Sequence, residues 1–337
     1  MDTNLNRRIN TATTERKSAA NSTFAIGGVS CFNENFVIKE NFVFKKCFRF
    51  KTPPIANLQI VTSNFMTDQL QVDKPQKRSD LRKFLGKEFF IVKRHVNWLF
   101  GDNNFAKVDT KIKYDNSLIK HKSFLLRPLK DVEMYLQHNK VTNLKIAISH
   151  LDKVVIKPGQ TFSIWRLVGR PTKLKGYLDG LTLHNGKISK DTGGGLCQLG
   201  NLLYWMALHT PLTIKERWRH SYDVFPDINR TIPFACGATL SYNYIDLQLE
   251  NNTDKSFQIN LWLDNEYLNG EISCDIDLKT KYDIYETDHI FKQQWWGGYT
   301  RHNKIWKKIT TLVDNKTTEE LVTENNAIMM YSPLLDK

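Results

Sequence analysis

Three consecutive glycines, Gly193-Gly194-Gly195, run through Leu196 straight into the apolar stretch from Cys197 to Leu208. No other segment limits the local fold so tightly. Glycines let the backbone take positive φ angles and pass close to another group. The spacing predicts a helix from Cys197 to about Leu208, ended before Thr210-Pro211. Cys197 then stands in the first helical turn, where open N–H groups and the positive dipole end favour the thiolate. The same N–H groups, with the Gln198 side chain, form a candidate oxyanion site. The run is not a nucleotide loop, because it lacks both the Gly-Lys-Ser/Thr ending and the G-x-G-x-x-G spacing.

A thiol nucleophile needs a base, and the base an orienting group. The segment Glu216-Arg217-Trp218-Arg219-His220-Ser221-Tyr222-Asp223 supplies His220, and Asp223, Asp227 and Asp246 are the acids at hand. Cys197 as nucleophile, His220 as base and Asp246 (or Asp223) as orienter resembles the papain and transglutaminase-like order. Two other readings stand beside it. In one, Cys197 is a small residue packed against a tight turn. In the other it ligates a metal with His184, His220 and Cys236, although that spacing fits no zinc pattern. The expectation is no metal and no cofactor. For binding, Gly193, Gly194 and Gly195 form a candidate peptide cradle, and Arg217 or Arg219 a bidentate carboxylate clamp. If buried, those arginines belong instead to an ion-pair network with Glu216.

The five cysteines, Cys31, Cys47, Cys197, Cys236 and Cys274, are odd in number and lack C-x-x-C spacing. That argues against a disulfide framework or a structural zinc. Cys31, Cys47 and Cys274 read as structural. The net charge is +13, and +9 of it lies between Lys77 and Lys130. Such a patch attracts nucleic acid, an anionic membrane face or an anionic wall polymer, if it is more than an ordinary basic surface. No zinc finger, RNA-binding signature or base-stacking motif accompanies it, so specific nucleic-acid recognition is not expected.

Residues 1–76 are Asn- and Thr-rich without a sustained period and read as an extension, poorly ordered or weakly strand-forming. From Asp80, the residues Leu81, Phe84, Leu85, Phe89, Val92, Val96 and Leu99 recur at helical spacing, with Arg82, Lys83, Lys87, Lys93 and Arg94 largely off the stripe. This basic amphipathic helix either packs its stripe on the core, the commoner arrangement, or lies on a membrane. A second helix is expected from Val141 to Leu151, then strand, Pro-Gly turn and strand from Val154 to Ile164. Asn185-Gly186 signals a hairpin. Alternation at Leu240, Tyr242, Tyr244 and Asp246 suggests a strand from Ala238 to Leu249, with Phe257 to Leu263 as its partner. Short strands and a Trp/Tyr-rich stretch finish the chain. The expected class is α+β, mainly antiparallel. The expected division is a basic helical part (77–135), a core (136–275) and a tail (276–337).

Several of these segments also carry a family likeness. Pro158 to Ser163, Val168 to Thr172, Gly176-Tyr177, Gly193 to Gln198, Glu216 to Asp223, Gly237-Ala238-Thr239 and Tyr244 to Leu247 resemble the VanW family, as do His302-Asn303 and Asn326 to Tyr331. The likeness runs from about Lys77 to the C-terminus and leaves the first 75 residues outside. It implies a link to glycopeptide resistance and the cell envelope, and supplies no mechanism. Two hypotheses follow. One is thiol-dependent acyl transfer or amide hydrolysis on peptidoglycan precursors or wall peptides. The other is non-catalytic binding, with the basic 77–130 region holding an anionic envelope component and the Gly-rich turn a peptide or glycopeptide; an anionic membrane surface is a further expected partner of 77–130. No stretch approaches the length and apolarity of a spanning helix, and Met1 to Lys17 lacks a signal-like apolar region. The expected location is therefore the cytoplasm or the inner membrane face.

Overall fold

A computed structural model describes residues 37–39, 72, 79–101, 104–127, 132–184, 186–226 and 231–333, all within the unit Phe32–Lys337. Among the described residues the first elements are β1 (Val37–Lys39), α1 (Asp80–Phe100), β2 (Lys107–Val108), β3 (Asn116–Phe124) and α2 (Met134–Ser149). It continues through β4 (Val154–Ile156), β5 (Thr161–Ser163), α3 (Ile164–Val168), β6 (Asp179–His184), β7 (Lys187–Thr192) and α4 (Cys197–Leu208). Then come β8 (Thr213–Glu216), β9 (Trp218–His220), β10 (Tyr222–Asp223), β11 (Gln248–Glu250), β12 (Phe257–Leu263) and β13 (Tyr267–Cys274). Three long strands close it: β14 (Thr280–Gln293), β15 (Tyr299–Thr311) and β16 (Thr317–Met329). The class is α+β.

The central sheet has the order β2-β4-β12-β13-β3, all neighbours antiparallel. Its period-2 pattern sends Ile259 and Leu261 of β12, with Leu268, Ile272 and Cys274 of β13, to the inner face, where all are buried. Helix α4 lies against that face. Leu199, Leu202, Leu203 and Met206 are buried, as expected of a helix with no continuous polar side. The approach is close: a Cβ on Gly270 would sit 2.6 Å from the Met206 methyl, so a larger residue there would make the Met206 side chain move. A second sheet, β5-β11-β8, and a third, β10-β16-β15-β14, complete the fold, and β10 joins β16 in parallel. The β6–β7 hairpin forms as its turn signal predicts, with Gly186 at φ +71°.

Four expectations need correction. Helix α2 starts at Met134, seven residues before Val141. Its early turns carry Gln137 and Lys140 inward, and sequence polarity hides them. The Lys140 ammonium is satisfied there, donating to the Leu125 carbonyl (2.6 Å) and to Gln137 Oε1 (2.7 Å). The strand from Ala238 to Leu249 does not form beyond β11. Asn243 takes φ +49° and Ser241 bridges Ile245, folding the segment into a tight turn. Accordingly β12 pairs with β4 and β13 instead. The C-terminal strands are long, at 13 or 14 residues each.

The fourth correction concerns α1. The helix forms from Asp80 as its period predicts, but its apolar stripe faces away from the core. The packed face is the opposite one, through Gly86, Phe90, Ile91, Arg94 and Trp98. Most of the expected N-terminal extension lies outside the described residues, as do Cys31 and Cys47.

Candidate functional site

Cys197 opens α4, as its position after the glycines predicts. Its thiol is half-buried, and its two polar partners are both backbone atoms of Leu240, whose N–H donates to Sγ at 3.4 Å and whose carbonyl lies 3.8 Å away. Burial pushes the thiol pKa up, and the Leu240 N–H offsets this only in part. His220 is not among the thiol's partners. It ends β9, half-buried. Gln198 is turned away from the thiol. Its amide donates to Ser123 Oγ and the Phe124 carbonyl, both at 2.9 Å, tying α4 to the end of β3.

Asp246 belongs to a separate cluster. It is fully buried and receives Ser163 Oγ at 2.5 Å, Gln248 Nε2 at 3.2 Å and the Trp165 N–H at 3.3 Å. Glu216 stands beside it and takes a two-pronged contact from Arg94 of α1, both N–O distances 2.7 Å. Burial and the neighbouring Glu216 raise the Asp246 pKa to about 7, against the pull of Arg94 and Ser163. Asp223 is held elsewhere, by Arg301 at 3.2 Å and the Tyr331 hydroxyl at 2.8 Å. Asp227 lies outside the described residues. The nucleophile, base and orienter expected from sequence thus occupy three different settings.

The remaining candidates have steric or internal roles. A Cβ on Gly194 would meet the Gly180 backbone at 2.2 Å, so two main chains cross there. Asn143 locks the crossing by donating to the Gly194 carbonyl at 2.9 Å. Gly195 sits at φ +90° against the Lys140 stem, and Gly193 against Pro171. Arg217 and Arg219 are buried. Arg217 lies over the Tyr204 ring and donates to the carbonyls of Gly237 and Ala235. Arg219 donates to those of His220 and Asn326. Desolvation lowers both guanidinium pKa values, that of Arg219 to about 10. Cys236 and Cys274 are buried thiols. Among the described residues no group of three or more His, Cys, Asp and Glu side chains is placed to hold a metal ion.

An open site lies on the outer face of the central sheet. The alternation that buries Ile259 and Leu261 sends Gln258, Asn260 and Trp262 to the other side. Buried Gln258 donates to the Ile112 carbonyl (2.7 Å) and accepts from the Tyr114 N–H (3.2 Å), which fixes the loop before β3 over the sheet. The result is a groove of about 310 Å³ lined by Lys113, Lys120, Lys153, Asn260, Trp262 and Glu271. Trp262 is 44% exposed, enough to offer a flat face to a ligand. Lys153 takes φ +65°, unusual for a residue that carries a Cβ, and its ammonium donates to Asn260 Oδ1 at 2.8 Å. Lys120 lies 3.3 Å from Glu271 and Lys113 lies 3.0 Å from Asp115, so the lysines of the groove outnumber its carboxylates. Farther along the same face Lys122 sits over the Tyr267 ring, 4.1 Å from its centre. Sequence reading passed over this site. The signal was present in the polar and aromatic residues that alternate with the apolar ones in β12.

Comparison with known proteins finds likenesses for part of this chain. Residues 139–273 match the family model described as VanW like protein. That span is narrower than the likeness expected from sequence, omitting α1 and β14 to β16. The vancomycin B-type resistance protein VanW of Enterococcus faecalis is 45% identical over 152 residues, 45% of this chain and 55% of that protein. The uncharacterized protein YoaR of Bacillus subtilis is 28% identical over 117 residues, 35% of this chain and 37% of that protein. The matched region therefore spans about half or less of these relatives' length. No solved structure matches.

Proposed function

From the match of residues 139–273 to the VanW like protein family model, we propose that this chain is an accessory protein of glycopeptide resistance that works by binding an anionic cell-envelope component. The observation that carries the reading is the groove on the outer face of the central sheet. It combines an exposed indole, an amide and three ammonium groups in one concave site. That chemistry suits a polymer with flat, hydroxylated units and carboxylates, as in peptidoglycan: the indole covers the apolar face of a sugar and the lysines meet the negative charge. The relative named for vancomycin resistance supplies the context.

The thiol reading survives as the rival, because the Leu240 N–H and the helix start both favour a thiolate at Cys197. Purified sacculi separate the two. Wild-type protein should cosediment with them, less so as salt rises, and Trp262→Ala should weaken binding by about tenfold, the loss of one well-placed aromatic contact. Cys197→Ser should bind and act like wild type. Equal cosedimentation by Trp262→Ala overturns the binding site. Rapid alkylation of Cys197 below about pH 8, slowed by His220→Ala, returns the chemistry to the thiol.

A further inference from the structure

Helix α1 presents its apolar stripe to solvent along its whole length, from Leu81 at 69% exposed through Phe89 at 62% to Phe100 at 83%. A stripe of this length on one helix exceeds the scattered apolar residues of an ordinary surface. The helix is not loosely attached. Its other face is bolted down by the Arg94–Glu216 contact, by Arg94 Nε donating to the Asn243 carbonyl (3.0 Å), and by buried Ile91. The stripe is therefore held outward by the fold.

Two features select its occupant. The first is width: Phe84 at one edge and Phe100 at the other broaden the face beyond the narrow two-position seam of a paired helix, and large aromatic and leucine side chains dominate it. The second is charge. The helix itself carries five Lys and Arg against two acidic residues, and Arg82, Lys87 and Lys93 are exposed on it. Two copies meeting through this face would bring like charges together, whereas an anionic bilayer would be attracted. With Arg82, Lys83, Lys87, Glu88, Lys93 and Arg94 in its length, α1 does not meet the criteria for a membrane-crossing helix, and neither does any other helix among the described residues. We propose that α1 docks the protein on an anionic phospholipid surface, lying in the plane of the interface with Leu85, Phe89, Val92 and Leu99 among the acyl chains.

The test uses the full chain and vesicles of phosphatidylcholine with or without phosphatidylglycerol. Wild type should sediment with the phosphatidylglycerol vesicles and much less with phosphatidylcholine alone. The double variant L85E/F89E should lose at least about tenfold in vesicle binding, as inserted carboxylates oppose both burial and the lipid charge. Because both positions are exposed, it should keep the wild-type melting temperature and sacculus binding, which separates lost docking from lost folding. Lys87→Gln with Lys93→Gln should reduce binding severalfold and flatten its salt dependence. Wild-type sedimentation that ignores phosphatidylglycerol overturns the proposal. So does a lipid-independent dimer, seen by analytical ultracentrifugation, that L85E/F89E dissolves without any vesicle binding.

Discussion

Helices α1 and α4 are both rich in large apolar residues, yet the fold uses them in opposite ways. In α4 apolar residues cover most of the circumference, and Leu199, Leu202, Leu203, Tyr204 and Met206 are all buried between sheet and loops. In α1 the apolar residues are gathered on one side, and that side is left out. What packs inward in α1 is a mixed face whose strongest contact is ionic: Arg94 clasping Glu216 beside Asp246. An apolar stripe at helical spacing therefore marks a face without saying where it points. The inward face is held by several contacts at once: Arg94 on Glu216 and the Asn243 carbonyl, His95 on the Asn243 amide, and the Phe90 ring against Tyr244.

Truncations on the two helices test the contrast most directly. Leu203→Ala should cost about 3 kcal/mol in denaturant unfolding, because it opens a cavity in the core. Phe89→Ala, a larger truncation, should stay within about 0.5 kcal/mol of wild type, since its ring already faces solvent. A large loss at Phe89 would mean the stripe is covered and the contrast false. Next comes the clasp. Arg94→Ala should destabilise by about 2 kcal/mol, leaving Glu216 and buried Asp246 together without their cation. Hydrogen exchange should then quicken in α1 while α4 keeps its protection.

A pH slope from the same cluster tests the clasp without removing a side chain. Asp246 has its folded pKa raised to about 7 from an ordinary 3.8, so the folded state holds a proton that the unfolded state releases. That stabilisation is present below about pH 4 and is lost as pH rises towards 7, a change on the order of 4 kcal/mol for the full shift. Asp246→Asn should flatten this part of the stability profile, keeping the hydrogen bond to Ser163 in modified form. An unchanged slope would place the titrating group elsewhere and weaken the case that this clasp orients α1.

Several parts of this molecule were readable residue by residue. The α4 boundaries followed from Gly193 to Gly195, Thr210 and Pro211, because helix starts and breaks are local backbone properties, whereas the alternation at Leu240, Tyr242 and Tyr244 made no strand. The α1 helix was legible for the same reason. The VanW-family likeness was carried by short motifs in order, and the matched span confirms it for residues 139–273. Other assignments depended on partners far away in sequence. Asp246 takes its hydrogen bonds from Ser163 and Trp165, some 80 positions earlier. The Cys197 thiol finds Leu240, and Gly194 needs its glycine because Gly180 crosses it. Lys140 and Gln137, polar by type, turned out to be interior because a single carbonyl, that of Leu125, waits for the ammonium.

By itself, then, the sequence determined the α1 and α4 helices, the β6–β7 reversal and which family's motifs are present. Those outcomes rest on φ restrictions, capping and periodicity within a dozen residues. Only the tertiary structure decided which face of α1 is buried, which side chains share the acid cluster, and that Trp262, Lys120 and Lys153 converge in one groove. Convergence of that kind is set by hydrogen-bond register between β12, β13 and β3 and by the closing of long loops. Its energetic terms, burial and ion pairing, exist only once the distant segments have met.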